Sequence, residues 1–89
     1  MRVRLYRGIT RRDFESALLR RSKVTINTNR EKCLTSINGK QLVLVLDNIN
    51  LIDESSETGQ LLTTMIHLGH YYDEQNDLIK ISNMSIIAA

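Results

Sequence analysis

Five consecutive branched apolar residues, Leu42 to Leu46, lead straight into Asp47 and Asn48. An amphipathic strand would alternate. An unbroken run instead suggests a strand covered on both faces, as in a parallel sheet, although periodicity alone also fits a buried helix. Gly39 before the run and Asp47 after it bound it as a central strand is bounded. In open α/β sheets, ligands gather at the carboxyl ends of such strands, so Asp47 stands where a magnesium–nucleotide site would place its metal-side carboxylate. The plainer alternative is a buried strand that ends in a solvated turn acid.

Other residues with chemical potential are less well supported. His67 and His70 could share a helical face, but no Cys or acid is placed to complete a zinc site. Cys33 has no partner that would mark it as a nucleophile, and it reads as a buried or half-buried thiol. Asn83-Met84-Ser85 fits the glycosylation triplet, yet it lies in an expected strand and reads as chance. Gly39-Lys40 is not a phosphate-binding loop. The earlier Gly at the required spacing is missing, a strand follows rather than a helix, and no other Gly-rich cradle occurs in the sequence.

The elements that must position these residues alternate between strand and helix. Met1 to Tyr6 alternates, with Val3 and Leu5 on one side and Arg2, Arg4 and Tyr6 on the other, as a half-buried strand does. Thr10 and Asp13 resemble a helix cap, and Phe14, Ala17 and Leu18 form an apolar stripe, which predicts a helix over about 11–21. Val24 to Thr28 and Cys33 to Ile37 read as short strands, the second leading to an Asn38-Gly39 turn. Ser55, Ser56 and Thr58 are alternative caps for a second helix, whose stripe is Leu61, Leu62, Met65, Ile66 and Leu68 and whose stop is Gly69. Leu78 to Ala89 reads as one last buried strand. Helices alternating with strands argue for right-handed crossovers and a mainly parallel sheet.

The bulk composition sets limits on function. A chain of 89 residues is one small domain or part of a larger protein, with a thin stability margin. One cysteine excludes an internal disulfide framework and fits a reducing cytosol. No apolar run is long enough to span a membrane, and no apolar signal core follows the N-terminal arginines, which fits a soluble, intracellular chain. The net charge of +2 hides an asymmetry. Residues 1–40 carry eleven basic and three acidic side chains, and residues 41–89 carry one and seven. The basic half could contact nucleic acid, but no stacking platform or DNA-reading motif accompanies it, and solvated helix and strand faces account for it as well.

Taken together, these residues resemble an AAA+ module of a dynein heavy chain. Gly39-Lys40-Gln41 followed by Leu42 to Leu51 looks like the dynein Walker B segment, and Met65 to Asp73 is similar to the family's helix end with its Gly and aromatic-Tyr pair. Ile81 to Ala89 looks like the strand that leads to sensor 1, and Val24 to Asn29 is similar to the corresponding segment of the second AAA+ module of the ciliary, intraflagellar-transport dynein. The resemblance implies a partial α/β AAA+ core over residues 1–89, P-loop NTPase-like and three-layered. Its mainly parallel sheet would supply strands 2, 3 and 4 of the order 5-1-4-3-2, with two helices and without the phosphate-binding loop, sensor 1 and lid. It also implies ATP with magnesium in the complete module, with Asp47 holding the metal through water and Asn48 and Asn50 beside it. Neighbouring AAA+ modules, other dynein subunits and microtubules would be the partners, in the cytoplasm, on the cytoskeleton and in the cilium.

The departures from the family pattern bear on the chemistry. Asn48 stands where hydrolysing sites carry an acid, and a neutral amide can position a water but cannot take its proton. The loop from Ile52 to Gln60 is several residues shorter than the dynein spacing, and Ile52 replaces the family's Pro. This chain alone would therefore bind no nucleotide, and in a ring it would be a low-turnover or non-hydrolysing coupling module. An open strand 4 edge would make the isolated chain marginal or self-associating. Two other expectations stand beside this one. The first is a small basic module that binds nucleic acid through Arg2, Arg4, Arg11, Arg12, Arg20 and Arg21, and the second is a gene fragment with no function of its own.

Overall fold

The computed structural model describes residues 1–88. Strand β1 (Arg2–Arg4) is followed by helix α1 (Arg11–Leu18), the strands β2 (Ser22–Ile26) and β3 (Lys32–Ser36), and β4 (Leu42–Asp47). After a 3-10 turn (Ile49–Leu51) come helix α2 (Glu57–Leu68) and strands β5 (His70–Tyr72), β6 (Leu78–Ile81) and β7 (Met84–Ala88). The strands form two sheets. One is parallel with order β1-β4-β7, and the other is mixed with order β2-β3-β6-β5. The result is an α/β domain in which one apolar core joins both sheets and both helices, from Val3, Leu5, Leu44 and Leu46 through Phe14, Leu18 and Met65 to Leu34 and Ile79.

Local chemistry explains the helix ends. Thr10 caps α1, its Oγ1 accepting from the Asp13 N–H at 3.1 Å, and Phe14 and Leu18 turn inward. The helix stops at Leu18, three residues short of the predicted end, because Ser22 turns back to donate its hydroxyl to the Leu18 carbonyl and begins β2. Arg20 and Arg21 therefore lie beyond the last turn rather than on it. Of the alternative caps for α2, Ser56 serves, accepting from the Gly59 N–H at 3.0 Å. Gly69 ends that helix in the left-handed conformation at φ 72, as its position predicts.

Several expectations require correction. The last segment is not one strand. Asn83 adopts φ 54 and splits it, sending β6 into the mixed sheet and β7 into the parallel one. Ala89, the end of that expected strand, lies outside the described residues. The glycosylation triplet consequently begins in a turn rather than inside a strand. Asn38-Gly39 does form a turn, but only Gly39 has positive φ and the strands on either side belong to different sheets, so it closes no hairpin.

The central strand is covered on one face only. Leu44 and Leu46 are fully buried, whereas Val43 on the opposite face is 42% exposed and Ile87, the sheet partner of Val45 on that face, is 52% exposed. Among the described residues, the three-layer arrangement therefore lacks its outer layer.

Tyr71 on β5 gives a pH-dependent prediction. Burial, reinforced by the negative charges of Glu15 and Asp73, pushes its phenol up to about 12 from 10.0. The folded state then holds this proton more tightly than the unfolded chain does. The associated stability is complete below pH 10 and is lost as pH rises from 10 toward 12, amounting to about 2–3 kcal/mol at most. Urea denaturation across that range should show the loss in the wild type and a flatter profile for Tyr71→Phe. Identical profiles would refute the assignment.

Candidate functional site

Asp47 ends β4, the middle strand of the parallel sheet, with β1 and β7 on either side. The sheet thus presents this carboxylate at the carboxyl end of its central strand, as the apolar run predicts. What the sequence does not reveal is the partner. Arg2 on β1 donates from Nη1 to Asp47 Oδ2 at 3.2 Å, and the Leu5 N–H donates to the Asp47 carbonyl at 3.0 Å. The parallel register, which sets Arg2 beside Val45 and Arg4 beside Asp47, brings the guanidinium there. The side chain of Asp47 is 19% exposed and that of Arg2 60%, so the pair is open to water on the arginine side. An ion pair of this kind contributes up to about 1 kcal/mol.

Asn48 is exposed and lies at φ 63, ψ 35, where the chain leaves the strand and enters the 3-10 turn. Asparagine tolerates this left-handed conformation better than any residue but glycine, and a glutamate there would carry a backbone cost of about 1–2 kcal/mol. The turn itself is therefore a sufficient local reason for the amide. Asn50, also exposed, lines a shallow cleft of about 300 Å³ with Ile49, Glu54 and His67. A second cleft, of about 330 Å³, is lined by Gly8, Thr10, Ile52 and Thr58. Neither cleft includes Asp47 or Asn48 in its wall. The three candidate residues are adjacent along the chain but do not converge on one cavity.

The donors can be tested against a magnesium–nucleotide. Asp47 offers one carboxylate, already engaged by Arg2, and the sequence contains no Gly-rich loop to cradle phosphates beside it. These residues do not fit the group by themselves, and no hydrolytic step follows from them. Among the described residues, no three of His, Cys, Asp and Glu gather in a way that could hold a metal ion. His67 and His70 do not share a helical face, because Gly69 ends α2 between them and His70 opens β5 against Tyr72, with ring centroids 5.8 Å apart. Cys33 is a half-buried free thiol on β3, beside Thr25 and Lys80 in the sheet.

The six arginines of the basic half do not form a single face. Arg2 pairs with Asp47, and Arg11 pairs with Glu15 at 2.7 Å. Arg4, Arg20 and Arg21 border one groove, and Arg12 borders another beside Tyr71 and Glu57. No helix among the described residues is long and apolar enough to cross a membrane. In comparisons with known proteins, no family model matches the sequence and no curated protein matches it.

Proposed function

We propose that this chain is the Walker B part of a dynein-like AAA+ module, a slow or non-hydrolysing member of a ring whose function is ATP-driven movement along microtubules. The observation that carries the reading is Asp47 at the carboxyl end of the middle strand of a parallel sheet ordered β1-β4-β7, which matches strands 2, 3 and 4 of the AAA+ order. In such a module a phosphate-binding loop comes from another part of the polypeptide. Asp47, which in this chain pairs with Arg2, would be the residue that holds the magnesium ion through water once that loop is present. Asn48, a neutral amide, would offer no base to a water placed there, which would keep turnover low.

The test starts with the transcript on both sides of this reading frame. An upstream Gly-rich phosphate loop and a downstream polar sensor residue are expected. In a chain extended to include them, Asn48→Glu should raise ATP turnover about 10²- to 10⁴-fold, the usual contribution of a positioned base. The assay belongs at low temperature, because the left-handed backbone at this position costs the variant stability. Flanking sequence without such a loop, or turnover unchanged by Glu, would end this reading.

A further inference from the structure

A groove of about 870 Å³ runs between α1 and the edge of β1 that faces away from β4. Alternate residues of β1 bond to β4. The Val45 N–H donates to the Met1 carbonyl at 2.8 Å, and the Leu5 N–H donates to Asp47 at 3.0 Å. In a parallel strand the intervening residues, Arg2 and Arg4, turn their N–H and C=O groups to the opposite edge. Among the described residues, no strand pairs with that edge.

The rim of the groove is strongly basic. Arg2, Arg4, Arg20 and Arg21 line it, and its one acid, Asp13, accepts a hydrogen bond from the Tyr6 hydroxyl at 3.2 Å. Arg4, Arg20 and Arg21 form no ion pair among the described residues.

We propose that the free edge of β1 receives an extended acidic peptide segment as an added strand. The bare N–H and C=O groups of Arg2 and Arg4 pair with its backbone, and Arg4, Arg20 and Arg21 pair with its carboxylates. Each element of the groove selects for this occupant. Unpaired strand edges bind extended chains through the main chain, and flanking pockets and charges set the preference. A second copy of this chain would bring arginine against arginine across the edge, and cationic edges act against that pairing. A phosphodiester strand offers only acceptors along its backbone, so it leaves the N–H-seeking carbonyls of Arg2 and Arg4 unsatisfied. The inference does not depend on the AAA+ reading.

Titrating the isotopically labelled 89-residue chain with a short capped peptide of alternating Glu and Val tests it. The amide resonances of Arg2 and Arg4 should shift and become protected from solvent exchange. The peptide with Lys in place of Glu should not bind. Arg20→Glu should weaken binding about tenfold, an effect that added salt masks. The wild-type amide readout stands by itself if that variant does not fold. Unchanged Arg2 and Arg4 amides at saturating acidic peptide would overturn the proposal, as would binding of oligothymidylate in preference to the peptide.

Discussion

Phe14→Ala is expected to leave the chain largely unfolded at physiological temperature. Phe14 is fully buried and comes from α1, which spans eight residues and buries only Phe14 and Leu18 completely. A helix this short does not hold itself in water, so its existence depends on packing. Removing the ring deletes the transfer free energy of the largest fully buried side chain and leaves a cavity that α1 can close only by moving, at about 3–5 kcal/mol. Domains have about 5–15 kcal/mol in total, and one of this size lies toward the lower end. Thermal denaturation followed by near-ultraviolet circular dichroism should show a broad transition or none. Leu19→Ala at the exposed C-cap should remain within about 0.5 kcal/mol of the wild type. A Phe14→Ala variant that melts cooperatively within about 1 kcal/mol of the wild type would show that α1 is not part of the core.

Gly59→Ala should be nearly as damaging, for the opposite reason. Gly59 is buried in the first turn of α2, and a Cβ built there would lie 2.1 Å from the backbone oxygen of Asp53 and 2.9 Å from the Glu54 Cα. That oxygen cannot easily retreat. It accepts from the Ser56 N–H at 3.1 Å and from the Ser56 hydroxyl at 2.6 Å, so the loop and the helix cap are one hydrogen-bonded unit. Alanine would gain about 1 kcal/mol of helix propensity, but the required displacement of a capped backbone exceeds it, for a net cost of about 2–3 kcal/mol. Gly69→Ala is the informative control. It has open space around its Cβ and pays only for its positive φ, about 1 kcal/mol. Urea midpoints at constant slope would rank the two variants. A Gly59→Ala protein as stable as the Gly69→Ala one would contradict the contact.

Much of this could be read from the residues because the causes are local. Thr10 with Asp13 and the Phe14–Leu18 stripe locate α1, and Ser56 and Gly69 frame α2, since caps and periodicity act within a turn or two. The strand at Leu42 to Asp47 was equally legible, and with it the place of Asp47 at a sheet end. The unread features depend on distant partners. Strand β5 has three residues with no alternation to reveal it, and it exists because β6 pairs with it. The apolar run from Leu78 hides a break that only the left-handed preference of Asn83 hints at. The apolar content of β4 suggested two covered faces, but Val43 remains half in water. At the candidate site, the Arg2 guanidinium that engages Asp47 arrives from 45 residues away, and no local pattern encodes that meeting.

The break at Asn83 also bears on how the molecule opens. Ser82 and Asn83 join β6 to β7 and are fastened on both sides. The Ser82 N–H donates to the Leu34 carbonyl at 2.9 Å in the mixed sheet, and the Asn83 carbonyl accepts from the Leu42 N–H at 2.9 Å at the start of the central parallel strand. Neither sheet can separate from the other without releasing this two-residue rivet. Native-state hydrogen exchange should therefore give the amides of β3 and β4 one shared opening free energy and one dependence on denaturant, as a single cooperative unit does. The two sheets, distinct in topology, would then be one object in thermodynamics.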